Sequence, residues 1–143
     1  MKAFAIVAAL AVILIASPIH AKDQHAPLPA AVMAAKSVYI DNQTGHPEIK
    51  DRAYEELTKW GRFKILDDQK AADLVLRFTV NTNDRPTPPG NDIDVSPTPV
   101  LFSVRDQTNN ELWSVSKDKP FHSQTRLDID EFKKRIEEQE KGN

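Results

Sequence analysis

The chain has 143 residues, enough for one domain around a single core and too few for two, and its formal net charge is −2. With 19 basic against 21 acidic residues, it lacks the excess of positive charge that binding to nucleic acid phosphates requires. The absence of cysteine excludes disulfides, catalytic thiols, thiolate metal sites and a lipid-accepting cysteine.

Residues 1–21 have the pattern of a cleavable export signal. Lys2 supplies the positive charge, residues 3–16 form an uncharged apolar run, Pro18 interrupts it, and Ala21 is the small residue at the expected cut. The alternative is an uncleaved membrane anchor, because the run approaches spanning length. Cleavage predicts a periplasmic or secreted protein with no stable membrane insertion afterwards, and leaves 122 residues with a formal charge of −3.

The segment after the signal is short and largely polar and contains Pro27 and Pro29. This composition predicts a flexible leader over residues 22–36. A short helical turn could form within it, at residues 30–35. Residues 37–41 then alternate as a strand does, with Val38 and Ile40 on one side.

A helix is predicted from Pro47 to Trp60, after a turn at residues 42–45. Proline suits the first helical position, where its missing N–H would have no partner, and Gly61 suits a left-handed cap at the end. The apolar residues within it recur at helical spacing and form one stripe: Ile49, Ala53, Leu57 and Trp60.

Four further strands follow, at residues 63–65, 73–80, 100–106 and 112–117, each with alternating apolar and polar residues. A polar turn between the last two predicts a hairpin. Residues 81–99 contain five of the ten prolines and almost no apolar side chain, so they are interpreted as a long proline-rich loop.

The end of the chain carries a helix-start signal. Asp128 and Glu131 have the spacing of a capping box, and Leu127 and Phe132 that of a hydrophobic staple around it. These four residues predict a helix over residues 129–139.

The predicted order is β-α-β-β-β-β-α within a single domain at residues 37–143. The first strand–helix–strand unit favours a right-handed crossover with parallel strands, and the later hairpins add antiparallel ones. Alternation in nearly every strand indicates one buried and one solvated sheet face. The sequence therefore predicts an α/β (α+β) two-layer sandwich, in which two helices cover one face of a mixed sheet of about five strands.

This pattern resembles small exported bacterial α/β domains of unknown function. It is more distantly similar to the amino-terminal domain of TolB-like proteins and to the curli-secretion lipoprotein class. The resemblance covers roughly residues 37–117 and is carried by segments 38–42, 59–66, 72–76 and 104–113. It implies an envelope location and a role in contacting proteins, with no catalytic residue to carry over.

No motif in the chain specifies catalysis or a cofactor. The histidines after the signal, His25, His46 and His122, have no metal-ligand spacing, and no nucleophile elbow or glycine-rich phosphate loop occurs. We therefore expect a non-catalytic protein with no cofactor and no metal.

Strand alternation singles out one candidate site. If the apolar strand residues face the helices, their neighbours Tyr39, Lys64, Arg77 and Arg105 share the opposite face. Arginine and tyrosine are effective contact residues, so this face is a candidate docking surface for an acidic envelope protein. The alternative is an ordinary solvated sheet face.

Two other functions are left open by the sequence. One is a small-molecule carrier with its site near the proline-rich loop, and the other is a hydrolase of unrecognised type. A pocket with apolar walls would favour the carrier, whereas a flat sheet face would favour contact with a protein.

Overall fold

A computed structural model describes residues 26–80, 99–117 and 121–142, except the side chains of 121 and 122. The predicted signal peptide and nearly all of the proline-rich loop lie outside these residues. No helix in the described ranges combines the length and the apolar character needed to cross a membrane. The elements are α1 (Ala30–Ala34), β1 (Ser37–Asn42), α2 (Pro47–Trp60), β2 (Lys64–Leu66), a 3-10 turn (Gln69–Ala71), β3 (Leu74–Val80), β4 (Val100–Arg105), β5 (Glu111–Ser116) and α3 (Phe121–Gly142).

The strands form one mixed sheet in the order β2-β1-β3-β4-β5. Strand β1 is parallel to both β2 and β3, and the pairs β3–β4 and β4–β5 are antiparallel. This confirms the predicted sandwich with a mixed five-stranded sheet, and α1 lies where the sequence allowed a short helical turn.

Helix α2 has the predicted bounds, because its start and stop signals are local. It begins at Pro47, and it ends where Gly61 adopts φ 70° and donates its N–H to the carbonyl of Leu57 at 3.0 Å. The stripe residues Ile49, Ala53 and Leu57 are fully buried against the sheet, whereas Trp60 at its end is half-buried.

Helix α3 begins at Phe121, eight residues before the predicted start, so the predicted bounds of 129–139 are wrong at the amino end. The earlier start is stabilised by Gln124, which is fully buried. Its Oε1 accepts the N–H of Val100 at 3.1 Å, and its Nε2 donates to the carbonyl of the same residue. Strand β5 ends at Ser116, so the Gln124 amide takes over as hydrogen-bonding partner for the first residue of β4.

The predicted flexible leader is packed over its described part, residues 26–36, which corrects that expectation. Leu28 and Val32 belong to the buried core. The N–H of Leu28 donates to Gln139 Oε1 at 2.7 Å, and Gln139 Nε2 donates back to the Leu28 carbonyl at 3.2 Å. The prolines suggested flexibility, but two apolar side chains and this contact with α3 hold the segment, so the packed domain includes residues well before 37.

Aromatic rings fill the centre between the helices and the sheet. Phe132 of α3 lies 5.4 Å from Trp113 and 5.9 Å from Phe102, measured between ring centroids, and Phe102 stacks on Phe78 at 4.8 Å. These rings come from β3, β4, β5 and α3, so Phe132 joins the helix layer directly to β4 and β5 and, through Phe102, to β3.

Candidate functional site

One face of the sheet is covered by helices α2 and α3, and no helix lies over the other face in the described ranges. Val38, Ile40, Leu74 and Leu76 point towards the helices and are buried there. The residues that alternate with them point to the opposite side, which we call the open face. Its members are Ser37, Tyr39, Asp41, Lys64, Leu66, Val75, Arg77, Thr79, Leu101, Ser103, Arg105, Glu111, Ser114 and Ser116.

The strand register brings three of the four predicted site residues together. Tyr39 pairs with Val75, which in turn pairs with Arg105, so these side chains form one row across β1, β3 and β4. Arg77 lies in the adjacent row. Lys64 stands apart on the edge strand β2, where it pairs with Ser37 and is exposed.

Arg77 is held by a carboxylate on the neighbouring strand. Its Nε donates to Asp41 Oδ2 at 2.6 Å, and each of the two side chains is only 17% exposed. The pair is therefore partly shielded from water, which strengthens it relative to a surface ion pair.

Arg105 is held by three groups. Its Nη2 donates to Glu111 Oε2 at 3.0 Å, its Nη1 to the Asn109 carbonyl at 2.9 Å, and its Nε to Ser103 Oγ at 3.3 Å. The guanidinium plane is thus fixed against the face. Both arginines have carboxylate partners, so this part of the open face is balanced in charge rather than cationic.

The sequence reasoning missed both carboxylates. Asp41 has the same parity as Tyr39 along β1, which is a usable signal, but its partner depends on a register that a single sequence does not give. Glu111 alternates with Leu112 and would be assigned to the helix side with Trp113. A register shift beside Val104 and Arg105 lets it reach the open face instead.

The centre of the open face is closed to water. Val75 and Ser103 lie between the larger side chains of the rows, and each is only 1% exposed. A sheet face sealed in this way offers a flat surface of fixed side chains rather than a concave binding site.

A depression of about 410 Å³ lies elsewhere, between α1 and the turn that joins β4 to β5. Its walls are the side chains of Ala31, Ala34, Ala35, Asp73, Asp106, Gln107 and Thr108, and it is shallow. It lies where β3 begins, at the opposite end of that strand from the proline-rich loop. The carrier site expected near that loop lies outside the described residues.

Both carboxylates in the depression are bound by neighbouring groups of the chain. The backbone N–H of Lys36, with the hydroxyl and N–H of Ser37, lowers the pKa of Asp73. The side chains of Thr108 and Asn110 lower the pKa of Asp106 in the same way. Their hydrogen bonds stabilise the start of β1 and the hairpin turn, which accounts for both residues structurally.

The described residues contain no group of three histidine, aspartate or glutamate side chains placed to hold a metal ion. Comparison of the chain with protein-family models, curated proteins and solved structures finds no match to any of them. The functional assignment therefore depends on the geometry of the open face.

Proposed function

We propose that this protein is an exported, non-catalytic binding module whose open face contacts a protein partner in the periplasm or outside the cell. The observation that carries the proposal is the row of Tyr39, Val75 and Arg105, bordered by the Arg77–Asp41 pair. It combines an aromatic ring and two fixed guanidinium groups with a buried centre, Val75 and Ser103, on one flat surface.

The hydrogen bonds of the face favour binding by lowering its entropic cost. A free arginine side chain loses rotamer freedom when a partner immobilises it, on the order of 1 kcal/mol per side chain. Arg77 and Arg105 are already held, so less of that freedom is left to lose. Tyrosine and arginine are also the residues that most often dominate the binding energy of protein interfaces.

The carboxylates paired with Arg77 and Arg105 change the charge expected on the partner's surface. Sequence reasoning proposed an acidic one, but Asp41 and Glu111 accompany the two arginines. We infer a partner that presents both carboxylates and basic or amide donors, since a purely acidic surface would meet two carboxylates at close range. The location follows from the predicted signal peptide and from the resemblance to exported domains.

The small-molecule carrier is the second candidate; its expected site, near the proline-rich loop, lies outside the described residues, and the depression beside α1 is shallow and lined by alanines and polar side chains. Carriers usually enclose most of their ligand between apolar walls. The hydrolase has no observation in its favour.

Site-specific photo-crosslinking in the intact envelope tests the proposal. A photoreactive phenylalanine analogue replaces Thr79 on the open face or, as a control, Tyr54 on the outer side of α2, which is 55% exposed. We expect a discrete protein adduct from position 79 and none from position 54.

A matched pair of double variants shows whether the adduct depends on the face. Tyr39→Ala with Arg105→Ala should abolish the adduct, whereas Tyr54→Ala with Arg52→Ala removes the same two residue types from α2 and should preserve it. An adduct that survives the first pair, or forms equally from position 54, would contradict the proposal. Circular dichroism on both variants confirms that they are folded.

A further inference from the structure

The amino-terminal half of α3 contains a buried carboxyl group without a hydrogen-bonding partner. Asp128 is fully buried, and neither of its side-chain oxygens has a hydrogen-bonding partner among the described residues. The hydroxyl of Thr125, one turn earlier on the same helix, is buried and unpartnered as well. A buried carboxylate without donors is strongly disfavoured relative to its neutral form.

The surroundings of Asp128 contribute little compensating charge. The core-facing side chains of α2 and β4, which pack against α3, are apolar. Among the described residues, the charge that acts on the Asp128 carboxyl is that of Lys117, just after β5. Lys117 is itself paired with Glu131 of α3 at 3.2 Å. Burial therefore dominates over Lys117 and raises the pKa of Asp128 to about 7.

The same residue carries a second helix-start signal. Asp128 and Glu131 form the capping-box pattern that predicted a helix from residue 129, whereas α3 begins at Phe121. In a helix that started after Asp128, its carboxylate would accept backbone N–H groups of the first turn and lie at the positive end of the helix dipole. The ionised form would gain there the donors that it lacks in the long helix.

We propose that the first two turns of α3 are a proton-controlled latch: with Asp128 protonated they are helical and docked on the sheet, and with Asp128 ionised they unwind and Asp128 caps a shorter helix. Unwinding would break the contact between Gln124 and Val100, the first residue of β4. The latch therefore controls how β4 is anchored next to the proline-rich loop. It is independent of whether the open face binds a partner.

The direction of the pH effect follows from proton linkage. The docked form keeps its proton up to about pH 7, whereas an accessible aspartate releases it near 3.8. In between, unwinding becomes about tenfold more favourable per pH unit, and above pH 7 the effect levels off. From pH 5 to pH 8 the opening equilibrium should rise on the order of a hundredfold.

Hydrogen exchange on the full mature chain at pH 5 and pH 8, corrected for intrinsic exchange rates, tests the latch. We expect opening of the amides at residues 123–128 to increase strongly at pH 8, while the amides of α2 and of residues 133–140 change much less. An increase that is equal at all three places means global unfolding and overturns the latch, as does no increase at residues 123–128.

Two variants separate Asp128 from its neighbours. Asp128→Asn cannot ionise and should abolish the pH dependence at residues 123–128. Asp130→Asn, at an exposed position that faces Arg126, should preserve it. Persistence of the pH dependence in Asp128→Asn overturns the proposal. If that variant does not fold, the carboxyl carbon resonance of Asp128 in the wild-type chain decides instead: a midpoint near 7 supports the latch, and one near 4 overturns it.

Discussion

The two halves of α3 are anchored by the same device and yet differ in how well their polar groups are satisfied. Gln124 and Gln139 each bind both the N–H and the carbonyl of one distant residue, Val100 and Leu28 respectively. In the carboxyl-terminal half, Arg135 also donates to the Ala26 carbonyl at 2.7 Å, and Glu140 pairs with Arg62. In the amino-terminal half, the side-chain oxygens of Thr125 and Asp128 are buried and have no hydrogen-bonding partner in the part of the chain that the structure describes.

This difference shows that a single helix need not be uniformly stable. Each unsatisfied buried polar group costs roughly 1–3 kcal/mol, so the amino-terminal half gives up part of what its packing contributes. Local opening begins where the net stabilisation is smallest. We therefore expect α3 to open from its amino end, although both ends are tied to distant parts of the chain.

The largest loss of stability should come from removing the ring of Phe132, which lies between the two halves of α3. Phe132→Ala deletes a fully buried side chain that contacts rings from α2, β4 and β5, and should lower the free energy of unfolding by about 3–5 kcal/mol. Urea unfolding followed by tryptophan fluorescence measures the change. Tyr54→Ala is the control and should alter it by less than about 0.5 kcal/mol. Similar losses in both variants would show that Phe132 is not central.

The two glutamine contacts can be compared directly. Gln124→Ala leaves the buried N–H of Val100 without its acceptor and should cost about 2–3 kcal/mol. Gln139→Ala affects a contact that is only partly buried, so water can replace it, and should cost about 1 kcal/mol. Urea midpoints of both variants, at constant slope, test this order. A greater loss in Gln139→Ala would reverse the comparison.

Removing the buried acid should stabilise the weaker half at alkaline pH. The pKa of Asp128 is raised in the folded state, so its contribution is most favourable below about pH 4 and is lost as pH rises towards 7. A buried asparagine amide is itself costly, so Asp128→Asn should gain only about 1–2 kcal/mol at pH 8. Because the cost of the amide does not depend on pH, the variant should be less stable than the wild type at pH 4, and it should flatten the stability curve between these values. Thermal unfolding across pH 4–8 measures both quantities, and a wild-type stability that rises from pH 4 to pH 7 would contradict the prediction.

The smallest change in stability is expected in the carboxyl-terminal half of α3, where the polar groups have hydrogen-bonding partners. Arg135→Ala removes an exposed hydrogen bond to the Ala26 carbonyl, which water can replace, and should change the free energy of unfolding by less than about 0.5 kcal/mol. Limited proteolysis near residue 26 is the more sensitive readout, because only the leader segment loses a contact. A loss above 1 kcal/mol would mean that the segment contributes more to the core than its hydrogen bonds indicate.

Sequence reasoning predicted correctly those parts of the fold that are set by residues close together in sequence. Pro47, the apolar stripe and Gly61 lie within one helix length, so the bounds of α2 follow from them. The start of α3 depends on a contact between Gln124 and Val100, 24 positions apart, and a local capping pattern outweighed it in the prediction.

In the candidate site, too, the features set by neighbouring residues were predicted and those set by distant contacts were not. Strand parity was sufficient to assign Tyr39, Lys64, Arg77 and Arg105 to one face. The carboxylates that hold the arginines were missed, because the Asp41–Arg77 pair depends on the register between β1 and β3 and Glu111 on a shift in the hairpin. The packing of residues 26–36 was missed because it depends on Gln139, 111 positions from Leu28.

That last contact has a consequence for the order in which the chain folds. Leu28 and Gln139 lie 111 positions apart, so their hydrogen bonds can form only after the chain has been synthesised as far as α3. Pairings between residues so far apart in sequence carry a large loop-closure cost, and topologies rich in them fold slowly. The ends of this domain therefore close late, and a chain that is still being synthesised remains open between its first helix and its last.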